Sequence, residues 1–136
     1  LYVSNDVKLA HKVKADGIYI PSFNKTKNFS NLENKNIIIL GSAHSQREIH
    51  QKILQNCRAI FLSPLFCVEK SKTFLGLHKF NYLSHVNKAN ILALGGISEN
   101  NIRKLKLLRI KGFGGIRIFK KKPAYKRPVF IKKNFF

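Results

Sequence analysis

No methionine occurs in the 136 residues. A complete reading frame normally begins with one, so residues upstream of Leu1 are expected to have been lost. The chain also enters at once into an apolar run, Leu1-Tyr2-Val3. Cysteine is nearly as scarce. Cys57 and Cys67 are too few and too poorly spaced for a zinc site or a disulfide framework, which makes a reducing cytoplasm the expected compartment. No apolar stretch approaches the ~20 residues that a membrane helix needs, and no signal peptide is visible, so no membrane partner is expected. Neither a G-x-G-x-x-G following a strand nor a P-loop is present, which removes the commonest cofactor readings of an open α/β sheet.

Acidic residues are scarce too: 6 against 26 Lys and Arg, for a formal net charge of +20. Such an excess favours polyanions, whether nucleic acid, a membrane surface or a phosphorylated ligand. The lysines are spread along the chain among many Asn and Ile. Genome bias toward A and T produces the same pattern, so charge alone assigns no partner.

Short apolar runs alternate with amphipathic ones. The runs at Leu1–Ser4, Gly17–Ile20, Asn36–Gly41, Ala59–Leu62, Asn90–Leu94 and Gly114–Phe119 read as parallel strands buried on both faces. Between them, Val7, Ala10 and Val13 recur every third residue behind a capping Asp6. Ser45-Gln46-Arg47-Glu48 is a capping box, with Ile49, Ile53 and Cys57 as the inward stripe of its helix. His78–Val86 is a weaker helical pattern. Ser98 is placed to cap a helix carrying Ile102, Leu105 and Leu108, and Gly112 to end it. The polar, Asn-rich stretch Phe23–Lys35 does not read as a helix. The alternation predicts an α/β fold with a parallel sheet. Its length of 136 residues falls short of the roughly 200 or more of a closed (β/α)8 barrel.

In a barrel, function gathers at the C-terminal ends of the strands. Those ends read Ser4-Asn5-Asp6, Pro21-Ser22-Phe23-Asn24, Ser42-Ala43-His44, Ser63-Pro64 and Gly95-Gly96-Ile97. Each residue also suits a turn or a helix cap. His44 is the candidate proton-transfer group, because an imidazole titrates at about 6.5 in water. His11, His50, His78 and His85 fit exposed helix positions. Gly95 and Gly96, with Gly115 at the sixth strand, allow backbone N–H groups to approach a phosphate closely. Lys70 and Lys72 follow the Ser63-Pro64 strand end and add positive charge.

Four segments in order carry a resemblance. They are Ala15-Asp16-Gly17-Ile18-Tyr19-Ile20, Ile38-Ile39-Leu40-Gly41-Ser42-Ala43-His44-Ser45, Leu62-Ser63-Pro64-Leu65-Phe66 and Ala93-Leu94-Gly95-Gly96-Ile97. The chain resembles the thiamine phosphate synthase and TenI-like (thiazole tautomerase) superfamily from Leu1 to about Phe119. The resemblance implies an incomplete TIM barrel of six βα units, the third to the eighth, without the first two. Residues 120–136 form a separate basic, aromatic tail.

For a synthase, the resemblance implies joining hydroxymethylpyrimidine diphosphate to thiazole phosphate with Mg2+. It places phosphate contacts at Gly95 and Gly96 and a substrate contact at Ser42, with Ser63 among the binding residues. The chain departs from that pattern at the metal. The family's Asn-Asp pair falls on Ser4 and Asn5, so that Asp6 matches only after a one-residue slip, and the second metal Asp falls on Asn24. The Pro-Thr-x-Thr-Lys loop is replaced by Cys67-Val68-Glu69-Lys70-Ser71-Lys72. For a tautomerase, the resemblance implies no metal, with His44 of Ser42-Ala43-His44 as general acid and base. A non-catalytic phosphate-ligand homologue is the further reading.

Without the first two βα units both edges of the fragment are expected to be open, inviting association, and the fragment alone is expected to be inactive. Nucleic acid is not the expected partner, although the basic and aromatic residues interleaved over 120–133 are of a type that contacts phosphates and stacks on bases.

Overall fold

The computed structural model describes residues 1–27, 29, 32, 36–115, 118 and 129–132. It falls into two compact units, Leu1–Phe61 and Leu62–Phe136.

The first unit runs β1 (Tyr2–Ser4), α1 (Val7–Lys12), β2 (Gly17–Ile20), β3 (Ile38–Ala43) and α2 (Gln46–Leu54), and then enters β4 (Ala59–Leu62). β1 and β2 pair in parallel with Tyr2 opposite Gly17, and β2 and β3 in parallel with Ile20 opposite Gly41. Ile18, Ile20 and Ile39 are buried with Ala10, Phe29 and Leu32 in one core cluster. Phe29 and Leu32 lie in the Asn-rich connection, which thus contributes to the core despite its polar composition.

α1 begins where Asp6, in extended conformation, accepts a hydrogen bond from the Leu9 N–H at 2.9 Å. Val13 is the C-cap of α1 rather than an inward residue, and is exposed. α2 opens on the expected box, with Ser45 Oγ accepting from Glu48 N at 3.3 Å. The Glu48 carboxylate reaches one residue beyond the usual cap and accepts from His44 N at 2.6 Å. Cys57 lies past the C-cap Gln55, so the helix it was expected to line has already ended.

The second unit carries α3 (Gly76–Val86), β5 (Ile91–Ala93), a 3-10 helix (Ile102–Leu107), β6 (Gly112–Gly115) and β7 (Val129–Lys132). β5 and β6 pair in parallel. α3 buries Phe80, Leu83 and Ser84, one face at helical spacing. The N–H groups of Leu75 and Gly76 donate to Pro64 O at 2.9 Å and Leu65 O at 3.0 Å, tying the helix start to the loop after β4.

Three features of this unit differ from expectation. The segment after Ser98 is a 3-10 helix starting at Ile102, not an α-helix capped by Ser98. The side chain that closes this loop is Asn101, whose Nδ2 donates to Gly96 O at 2.8 Å and whose Oδ1 accepts from Ser98 N at 2.9 Å. A strict three-residue spacing, Ile102-Leu105-Leu108, suits the three-residue turn of a 3-10 helix. Second, Gly112 does not end a helix; it opens β6, opposite Leu92. Third, the outer edge of β6 is not open. β7 pairs with it antiparallel, Gly112 opposite Lys132 and Gly115 opposite Val129. Residues 116, 117 and 119, at the end of the expected sixth strand, lie outside the described residues, as do 120–128 and 133–136 of the tail.

Candidate functional site

Because β1, β2 and β3 run parallel, the segments leaving their C-terminal ends share one side of the first unit. Asn5 turns there in the left-handed region, φ 59°, with its N–H donating to Tyr19 O at 2.9 Å. The structure brings together two residues that lie 19 apart in sequence: Asn24 Nδ2 donates to Asn5 Oδ1. The other half of the Asn24 amide, Oδ1, accepts from Thr26 N and Thr26 Oγ1, each at 2.8 Å.

The loop holding Asn24 is fixed from α2. Lys52 Nζ donates to Asn24 O and to Gln55 Oε1, each at 2.8 Å. Gln55 Nε2 donates to Asn24 O at 2.9 Å and to Thr26 O at 2.7 Å. Lys52 is fully buried, and burial pushes its pKa down, opposed by the neighbouring Cys57 and Glu48. Cys57 lies close by: a Cβ built on Gly41 would stand 2.7 Å from both Cys57 Sγ and Lys52 Cδ. Burial pushes the Cys57 thiol up to about 11, against the pull of Lys52. Sequence reading missed this cluster. Its signal was present, because Lys52 follows Ile49 by three residues and so falls on the buried face of α2.

Ser42 is buried within β3, and His44 is exposed just beyond it. Asp6 gives its carboxylate to the α1 cap.

Mg2+, implied by the resemblance, takes hard oxygen ligands, chiefly carboxylates and phosphates. The strand ends offer two neutral amides bound to one another, and no group of three or more His, Cys, Asp or Glu suited to a metal occurs among the described residues. These residues do not fit a resident Mg2+.

In the second unit, Gly95 and Gly96 adopt φ 97° and 69° and pack directly on the loop after β4. A Cβ at Gly95 would stand 2.7 Å from Pro64 Cα, and one at Gly96 2.6 Å from Cys67 O, so both positions require glycine for backbone shape and for space. Leu65 N and Phe66 N donate to Leu94 O at 2.9 Å and Gly95 O at 3.1 Å. Gly115 is buried beside Ile97, the next residue along, with Ile97 O 3.9 Å from where its Cβ would be. The three glycines therefore gather around one short segment. Ser63, joined to Pro64 by a cis peptide, is buried at the end of β4. Lys70 lies on the turn that the Val68–Ser71 bridge closes and Lys72 follows it; both are exposed.

The thiamine monophosphate synthase (TMP-TENI) family model matches residues 1–119. The chain belongs to this family. A thiamine-phosphate synthase of Prochlorococcus marinus is 32% identical over an alignment of 120 residues that covers 82% of this chain and 33% of that protein. The solved thiamine phosphate pyrophosphorylase from Pyrococcus furiosus matches with a TM-score of 0.68 at 21% identity, covering 82% of this chain and 55% of that one. At that identity the likeness shows the fold: α/β, an incomplete TIM barrel. The chain spans about a third of the curated relative's length and just over half of the solved structure's. No helix among the described residues is long and apolar enough to cross a membrane.

Proposed function

We propose that the chain serves thiamine biosynthesis as a family member that binds thiazole phosphate at the strand ends, without a resident Mg2+. Family membership supports the ligand class. The observation that carries the metal-independent form is the Asn24-to-Asn5 amide bond, standing where the resemblance implies metal carboxylates. In this reading the backbone at Gly95, Gly96 and Gly115 receives the phosphate, with Ser63, Lys70 and Lys72 adding polar contacts and charge. Transfer to hydroxymethylpyrimidine diphosphate is not part of the activity proposed for the isolated chain.

The same amide pair favours a second reading, proton transfer at His44. A thiazole tautomerase moves one proton on a thiazole carboxylate phosphate, so a single imidazole that accepts and returns it balances the reaction with no metal. Both readings place the protein in the cytoplasm.

Calorimetric titration with thiazole phosphate, with Mg2+ and with EDTA, tests the proposal. Binding of equal strength in both buffers is expected, with no thiamine phosphate formed when hydroxymethylpyrimidine diphosphate is added. Robust, Mg2+-dependent turnover by this chain would overturn it.

A further inference from the structure

The outer face of α3, in the second unit, has no part in the strand-end reading. Phe80, Leu83 and Ser84 turn inward, which points His78, Tyr82 and His85 the other way. These three stand at i, i+4 and i+7, so they form one row along the solvent side of the helix. All three are exposed, and Tyr82 keeps 65% of its surface. At 1.5 Å per residue the row runs about 10 Å, the rise of about three stacked bases. Contact with water calls for polar and charged chains on such a face and gives no reason for three rings in a row.

Cations border the row on both sides. Lys79 lies on one flank, exposed on α3 itself. Arg109 lies on the other, on a segment tied to the helix. Its N–H donates to Asn81 Oδ1 at 3.3 Å, and its Nη1 stands 3.5 Å from His85 Nδ1. Lys88 is exposed just past the helix end. The only carboxylate side chains after residue 62 are Glu69 and Glu99, so α3 and the 102–111 segment carry none of their own. Among the described residues, none of these three cations is engaged in an ion pair.

The lysine excess of the whole chain assigns no partner, but this placement does. Aromatic rings take unpaired bases by their faces, whatever the base, while cations beside them take the phosphates. A duplex keeps its base faces covered by stacking, and a lipid headgroup offers no such face.

We propose that the outer face of α3 binds single-stranded RNA, with bases on His78, Tyr82 and His85 and phosphates on Lys79, Lys88 and Arg109. The imidazole nitrogens give two of the three rings a hydrogen-bonding edge for a ribose 2′-hydroxyl, which favours RNA over DNA. The surface is separate from the strand-end site, and its test does not depend on thiazole phosphate.

Fluorescence anisotropy of a short labelled oligouridylate, titrated with the full chain over a range of salt, tests the proposal. The single strand is expected to bind about fivefold or more tightly than an RNA duplex or an oligodeoxyuridylate of the same length. Tyr82→Ala should weaken it about fivefold or more without changing the salt dependence, and Tyr82→Phe should keep the natural affinity. Lys79→Ala and Arg109→Ala should each lower the slope of log affinity against log salt by about 0.7. The exposed pair Lys8→Ala/Lys12→Ala, on α1, should leave the affinity as it is. Absence of binding near physiological salt, unchanged affinity in Tyr82→Ala, or a loss in the α1 pair equal to that in Lys79→Ala would each overturn the proposal. Equal affinity for the duplex or for the deoxy strand would also overturn it. So would tighter binding to anionic lipid vesicles that the α3 variants lose alike, which would identify a membrane surface.

Discussion

Lys52 is a cation with no room for water, and its replacement separates two opposing contributions. Its Nζ bonds two neutral oxygens, Asn24 O and Gln55 Oε1, each at 2.8 Å, and among the described residues no carboxylate bonds it. Hydrogen bonds made by a charged group contribute about 1.5–3 kcal/mol each, while taking an ammonium out of water costs several kcal/mol even after relaxation. Lys52→Met keeps the length of the side chain and removes both contributions. It leaves Gln55 Oε1 without its donor, at a cost of about 1–3 kcal/mol; Asn24 O keeps Gln55 Nε2. The expected net change at pH 7 is within about 2 kcal/mol of zero, because the lost bonds and the relieved desolvation are of similar size. Lys52→Ala leaves Gln55 equally unpaired and adds a cavity, for a further loss of about 2–4 kcal/mol.

Urea unfolding of the three chains measures this. The pH dependence supplies a second reading. Burial depresses the pKa of Lys52 in the folded chain, so above that value the unfolded chain binds more protons and stability rises with pH. The natural chain should therefore gain on Lys52→Met as pH climbs from 7 toward the ordinary lysine value. If Lys52→Met destabilises as much as Lys52→Ala, the buried ammonium is a net stabiliser and the reasoning fails.

Two shorter predictions follow from the same geometry. Gly96→Ala forces a side chain into left-handed backbone and against Cys67 O, and should cost about 2–4 kcal/mol by urea midpoint; Gly76→Ala shares the positive φ but meets nothing nearer than 4.0 Å, and should cost about 1–2 kcal/mol. The Cys57 thiol, pushed up to about 11, should resist maleimide at pH 8 in the folded chain while the exposed Cys67 reacts; its share of stability is present below pH 9 and is lost as pH rises toward 11, where the unfolded thiol has already ionised. Equal labelling of both thiols in the folded chain would contradict that burial.

Much of the fold was legible because its signals are local. The near-continuous apolar runs at Gly17–Ile20 and Ala59–Leu62 are strands with those bounds. Asp6 and Ser45 cap the helices their spacing announced. The failures have a common cause, which is that a distant residue decides. Ile102, Leu105 and Leu108 announce a helix, but its type and start depend on Asn101 binding back to Gly96. Gly112 looks like a helix stop until Leu92 and Lys132 flank it. At the strand ends, the register of the resemblance placed Asn5 and Asn24 at matching positions, and the structure adds their direct contact. The clamp from Lys52 stayed hidden because charge is normally taken as a mark of the surface, even at a position where the helical period points inward.

The antiparallel strand β7 gives the outer edge of β6 an occupant from the same chain. Any strand arriving there in the parallel sense that a closed barrel requires would meet backbone groups already engaged by Val129–Lys132. Edge pairing becomes a competition: the resident strand has the advantage of tethering, and an incoming strand must first displace it. Removing the segment after residue 119 would turn that protected rim into an adhesive one, and self-association that grows with concentration is the behaviour such a rim produces.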